Sequence, residues 1–195
     1  MLKTYVAPTS RLNRPFFRNL RGILLLVFMG VSPSSVAGEL ISREEALALV
    51  FPGAEFKAER IFLTEQQRKE AANLAGTEVP NALIARYLAL KEGNLIGYAY
   101  VDTHTVRTKK ESLLISLDEK GRVKRVEVIV FMEPREYQAP PEWYRQYQGK
   151  SLDEELNLQR AIHPLAGATL TSIAANQAVR RVLAIHQVLQ GDIHP

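Results

Sequence analysis

Between Ala82 and Met132 the hydrophobic pattern repeats every second residue, and this period limits the possible folds more than any other feature of the chain. Ile84, Arg86 and Leu88 alternate with Ala85, Tyr87 and Ala89 up to Lys91-Glu92-Gly93-Asn94, a turn composition. Residues 95–101 (LIGYAYV) read as the returning strand. After the polar stretch 102–107 come residues 112–117, the turn Asp118-Glu119-Lys120-Gly121, and residues 123–132, where Val126, Val128 and Val130 recur at every second position. Strands joined by short turns pair antiparallel, so the expectation is a meander-like antiparallel sheet of at least four strands.

Helical patterns flank this block. Ser42 and Glu45 form a capping box ahead of Ala46, Leu47, Leu49 and Val50, and Phe51-Pro52-Gly53 stops the helix. Thr64 opens a second, more polar helix over residues 65–75, closed by Gly76, with Ala71, Ala72 and Leu74 as its packing side. Neither helix carries an evident catalytic group. The class expected is α+β, a single domain with helices packed on one face of the sheet. Residues 133–148 differ again, with Pro134, Pro140 and Pro141 followed by Trp143, Tyr144 and Tyr147, as in a covering loop or a binding edge. Ser151-Leu152-Asp153-Glu154-Glu155-Leu156 reads as a further capped helical turn.

The amino-terminal stretch does not belong to this pattern. Lys3, Arg11, Arg14, Arg18 and Arg21 precede the ten-residue apolar run GILLLVFMGV at 22–31, then Pro33 and the small residues Ser35-Val36-Ala37. That order is the one an export signal has, with cleavage expected after Ala37. The apolar run is half the roughly 20 residues that a spanning helix needs. An uncleaved anchor is the second reading. Residues 1–37 are thus assigned to a signal peptide and 38–195 to the folded domain, on the periplasmic side or the outer face of the cytoplasmic membrane.

Charge and cysteine narrow the function classes. Residues 1–37 hold five basic and no acidic side chains, so the +4 of the whole chain becomes 20 basic against 21 acidic residues in the remainder. The basic character therefore resides in the leader and lends nothing to nucleic-acid binding. The absence of cysteine excludes disulfides, thiolate metal sites, cysteine-ligated iron–sulfur clusters, haem attached through cysteine and a lipid-modified cysteine. An electron carrier of this composition needs an organic cofactor or a non-thiolate metal.

One short stretch carries a site signal. Residues 166–172 read Ala-Gly-Ala-Thr-Leu-Thr-Ser and run into a helix whose Ala175, Val179, Val182, Leu183 and His186 share one face. Gly167 permits a positive φ or a close backbone approach, and Thr169, Thr171 and Ser172 gather hydroxyls at a helix start, where free N–H groups attract anions. Taken alone this fits equally with hydroxyls that merely cap a helix.

Gly167-Ala168-Thr169-Leu170-Thr171-Ser172 resembles the Ser-Gly-Ala-Thr-x-Thr-Ser flavinylation signature of the FMN-binding domain family. That family includes extracytoplasmic subunits of the Rnf and sodium-pumping NADH:quinone reductase complexes. The resemblance also covers the placing of the motif near the end of a domain-sized chain. It departs at Ala166, where the family has serine, and at His163, where an acidic residue is frequent. The resemblance implies FMN joined through its phosphate to the Thr171 hydroxyl, with Gly167, Ala168 and Thr169 as the recognition lead-in and these three, Leu170 and Ser172 as the cofactor-binding residues around it. It also implies a separate flavin transferase that supplies the group from FAD with a divalent metal. The domain would then be an electron carrier between a membrane or exported donor and an acceptor such as a cytochrome, with no catalytic residues of its own. Trp143 and Tyr144 are candidates for a wall beside the flavin ring, or else plug the end of the core. His163, just before the motif, is a candidate to touch the phosphate or the flavin edge, or else has only a loop role.

The remaining constellations are weaker. His104, His163, His186 and His194 include no pair at metal-ligand spacing, and no structural metal is expected. His186 reads as a core histidine and His104 as part of a solvated Thr-rich turn. There is no nucleophile elbow, phosphate loop or dinucleotide fingerprint. The competing classes are an exported ligand- or protein-binding module without covalent flavin, and a non-covalent flavin site.

Overall fold

The computed structural model describes residues 40–191; the expected signal peptide at 1–37 and His194 lie outside them. Ser42 caps α1 (Arg43–Val50): its hydroxyl accepts the Glu45 N–H, and the Glu45 carboxylate accepts the Ser42 N–H in return. The helix closes at Phe51, as the Phe-Pro-Gly sequence requires. Thr64 and Gln67 form the same box at the start of α2 (Glu65–Ala75), and Gly76 ends it in the left-handed conformation.

Five antiparallel strands follow one another in space as in sequence: β1 (Glu55–Phe62), β2 (Leu83–Lys91), β3 (Asn94–Thr105), β4 (Lys110–Asp118) and β5 (Val123–Phe131). The fold is α+β with an antiparallel meander, as the period-two block requires. The strand not anticipated, β1, has charged residues on both faces, and its order comes from pairing with β2, Glu55 opposite Leu90 through Phe62 opposite Leu83. An edge strand of this kind leaves little alternation to read.

The sheet buries both faces. On one, Tyr98, Tyr100, Leu113, Ile115 and Leu117 meet α2 and the long α4 (Thr169–Gly191). On the other, Ala99 and Leu114 meet Ala46 and Leu47 of α1. The expectation of helices on one face is therefore corrected, because α1 lies opposite the other two. Each leucine or isoleucine withdrawn in this way contributes on the order of 2 kcal/mol. Gly97 makes the α1 junction possible. An added Cβ would fall 2.5 Å from the Leu117 carbonyl oxygen and 2.6 Å from the Phe51 ring.

Helix α4 is the centre of the molecule, buried around most of its circumference between α2, the sheet and the segment that precedes it. Ala71 and Ala75 of α2 are small enough to let the two helices approach; Leu74, expected to pack, is instead 43% exposed. Between β5 and α4 the chain forms the 3-10 turn Arg135–Tyr137, the short α3 (Pro141–Tyr144) and a second 3-10 turn, Arg145–Tyr147. The helical turn expected at Ser151-Leu156 is irregular. Asp153 Oδ1 accepts the Leu156 N–H at 2.8 Å there, which satisfies the backbone without a helix.

Candidate functional site

The start of α4 meets the β3–β4 turn and the 3-10 turn that follows β5. Gly167 takes φ +82°, with open space where a side chain would stand, and turns the chain into the helix. Ser172 then ties this lead-in down. Its hydroxyl donates to the Ala168 carbonyl at 3.1 Å and accepts the Leu165 N–H at 3.0 Å. The side chain is wholly buried, so Ser172 builds the loop and has no hydroxyl free for a ligand.

Thr171 is different. Its hydroxyl donates to the Tyr137 carbonyl oxygen at 2.6 Å, and the residue is 1% exposed. The proton thus goes to another segment of the chain. A cleft of about 200 Å³ is bounded by residues 167–171, Arg107 and Tyr137. Thr169 and Leu170 are exposed at its edge, and Ala168 is buried beneath it.

Arg107 and Tyr137 were not singled out from sequence. The Arg107 guanidinium lies 4.8 Å from the centre of the Tyr137 ring, within cation–π range, and among the described residues Arg107 is the only charged side chain in the cleft lining. Its turn is held by Glu133, whose Oε1 accepts the N–H groups of Arg107, Thr108 and Lys109 at 3.2, 2.7 and 2.8 Å. Those three donors hold the Glu133 pKa below the usual carboxylate value. The β3–β4 turn and the exit from β5 are thereby locked together beside the motif.

The aromatic residues and His163 are not part of this cleft. Trp143 and Tyr144 are buried edge-to-face on each other, with ring centres 5.1 Å apart, and Trp143 Nε1 donates to the His163 carbonyl at 2.8 Å. Their indole and phenol surfaces complete the core at the end of the sheet, so they do not wall the cleft. His163 is pinned through its backbone, its N–H donating to Gln146 Oε1 at 2.8 Å, while its imidazole is exposed and outside the cleft lining.

A second polar cluster lies inside the fold. His104 is on β3 rather than in a solvated turn. Its Nδ1 is 2.9 Å from Asp102 Oδ1 and its Nε2 is 2.9 Å from Glu111 Oε2. Arg181 of α4 pairs with Asp102 through Nε and Nη2, at 2.7 and 2.8 Å, and Tyr144 donates to Glu111 Oε1 at 3.1 Å. Burial works against the charged imidazole, but the bonds and charges of Asp102 and Glu111 outweigh it and raise the His104 pKa. Burial likewise opposes ionised Asp102, yet His104 and Arg181 hold its pKa below the usual carboxylate value. Burial, followed by the Glu111 charge, pushes the Tyr144 phenol well above its ordinary value, so it remains a donor.

His186 has the opposite character. Burial, reinforced by the Arg86 charge, lowers its pKa to about 4, and its Nδ1 lies 2.9 Å from the Tyr100 hydroxyl. It is a neutral core histidine. Among the described residues, no group of His, Cys, Asp and Glu is arranged to hold a metal ion, and no helix is long and apolar enough to cross a membrane. The chain matches no protein-family model, no curated protein and no solved structure.

Proposed function

We propose that this chain is an exported electron-carrier domain bearing FMN through a phosphoester bond to Thr171. The observation that carries the reading is the cleft at the start of α4, which gathers residues 167–171, with Thr171 in its lining, its hydroxyl held by the Tyr137 carbonyl, and Arg107 as the charged side chain among the described lining residues. The residues fit a phosphoester. A threonine hydroxyl supplies the ester oxygen, a guanidinium offsets the remaining charge, and Gly167 leaves the approach open.

Size favours a tether. At about 200 Å³ the cleft is smaller than the roughly 300–1,000 Å³ that encloses a whole small-molecule ligand. It suits the phosphate end of FMN, and a covalent bond supplies the retention that enclosure does not. When bound, FMN supplies one- and two-electron transfer; the chain supplies its position and surroundings. On this reading the domain is the substrate of a flavin transferase, and its partners are an electron donor and an acceptor outside the cytoplasm, in a membrane oxidoreductase or a cytochrome. It needs no catalytic residue of its own.

A second reading, an exported ligand- or protein-binding module without covalent flavin, is favoured by the near-complete burial of Thr171. Intact mass after export from cells that contain an active flavin transferase separates the two. The carrier reading requires a gain of one FMN less one water, located on the peptide with Thr171. An unchanged mass, with the transferase active on another substrate, leaves the binding module.

A further inference from the structure

Esterification changes what Thr171 can do for its neighbours. In the transfer of FMN from FAD, the bond between Thr171 Oγ1 and phosphorus forms as the pyrophosphate P–O bond breaks. Adenylate leaves with the electron pair, and the hydroxyl proton passes to a base of the transferase. The ester oxygen then bears carbon and phosphorus and no hydrogen. The Tyr137 carbonyl, which accepts that hydrogen at 2.6 Å in the unmodified chain, loses its donor and faces an anionic diester. A contact that holds two segments together becomes repulsive.

The segment able to yield is the one carrying Tyr137. The turn Arg135–Tyr137 spans three residues, has no side-chain cap and contains no buried residue. Glu133, just before it, is anchored by three backbone N–H groups of residues 107–109, which makes a fixed base for the movement. Arg107 sits on the Tyr137 ring and is exposed, so its guanidinium is free to turn toward a phosphate once the ring leaves.

We infer that the Arg135–Tyr137 turn is a strap over Thr171 that esterification releases, and that Arg107 is the positioning residue that takes up the phosphate charge. The inference rests on the phosphoester reading. It assigns two jobs to residues outside the motif. Tyr137 keeps the hydroxyl covered in the unmodified chain, and Arg107 favours the modified state by charge.

The test loads the full chain with FAD, a divalent metal and a purified flavin transferase, and follows both mass and amide exchange. Loading should speed exchange over residues 136–138 by about tenfold or more, the scale of losing one hydrogen bond in this setting. Arg107→Gln should load about tenfold more slowly, while Arg107→Lys, which keeps the charge, should retain most of the rate. The gap between wild type and Arg107→Gln should shrink at high salt. Melting curves establish that both variants fold, as an exposed site predicts.

Equal loading of wild type and Arg107→Gln, or equal slowing by Gln and Lys, would overturn the charge role of Arg107. Exchange over 136–138 that loading leaves unchanged would overturn the strap. A wild-type chain that stays unloaded beside a labelled control substrate overturns the phosphoester reading itself, and the strap with it.

Discussion

His104 and Glu111 face each other across the β3–β4 register, with Nε2 and Oε2 2.9 Å apart and Glu111 wholly withdrawn from water. Asp102 holds the other ring nitrogen, so the imidazole is gripped between two carboxylates. Arg181 and the Tyr144 hydroxyl complete the set of polar groups around it.

This arrangement makes stability depend on pH in a definite direction. The folded-state pKa of His104 lies above its ordinary value, so its stabilising contribution is full below that ordinary value, about 6.5. It is lost as pH rises through the raised folded value. Asp102 works the other way: with its folded pKa depressed, its contribution is present above the ordinary carboxylate value and is lost as pH falls through the folded one. Denaturant unfolding should therefore show stability declining on the alkaline side of neutrality. Replacing His104 with Ala should cost on the order of 3 kcal/mol at pH 6, because it strands buried carboxylates. A flat stability profile from pH 6 to 9 in the parent chain would count against a charged His104.

Tyr144→Phe removes one donor to a buried carboxylate and should destabilise by about 1–2 kcal/mol. Trp143→Phe, which loses the bond to the His163 carbonyl, should cost a similar amount. Neither ring lines the cleft, so both variants should load flavin to the parental extent under conditions where they are folded. Melting curves and intact mass measured on the same samples check the two halves of this expectation. A variant of parental stability that fails to load would place the ring at the flavin after all.

Gly97→Ala should be among the most damaging single changes in the sheet. The added carbon meets the Leu117 carbonyl oxygen, a backbone atom, as well as the Phe51 ring. Overpacking of this kind costs about 1–3 kcal/mol, and relief of the ring contact alone should not restore it. The decisive measurement is the denaturation midpoint of Gly97→Ala with and without Phe51→Leu. Full rescue by the second change would show that the carbonyl contact is unimportant.

At the motif, Thr171→Val should abolish flavin attachment and cost about 1 kcal/mol through the unsatisfied Tyr137 carbonyl, while Thr171→Ser keeps the acceptor oxygen. Thr169→Val, at the exposed edge, should weaken attachment without affecting stability. Ser172→Ala should differ from both. It removes the two bonds that fix the Gly167 lead-in, so it should destabilise by about 1–3 kcal/mol. Denaturation-resistant flavin fluorescence in Thr171→Val would refute attachment at that residue.

Sequence reading succeeded where one short-range cause decides the structure. The boxes at Ser42 and Thr64 are closed by residues three positions away, and Gly76 ends α2 where no side chain would sit easily. The alternation from 82 to 132 sets the faces of four strands because a pleated strand turns each residue over in succession. The Gly167 turn and the start of α4 were legible for the same reason.

It failed where partners come from far along the chain. Asp102-Thr103-His104-Thr105 looked like a polar turn because its side chains are hydrophilic; β3 continues through them because Arg181, 79 residues later, and Glu111 satisfy that polarity inside the fold. β1 has no clear alternation of its own and is held by β2. The aromatic cluster at 143–147 showed large apolar surface and no direction, and packing sent it into the core rather than to the cleft.

By itself, then, the amino-acid sequence determined the α+β class, the meander, the helix ends and the presence of a Gly-Ala-Thr-Leu-Thr-Ser turn at the head of the last helix. All of these follow from the chain's local geometry and periodicity. Only the tertiary structure decided that Thr171 lies beneath Tyr137, that Arg107 is the charge beside it and that His104 is buried between two carboxylates. These are meetings between segments distant in sequence, and hydrophobic patterning is non-directional: it requires that the segments be buried together without specifying which polar groups then face each other.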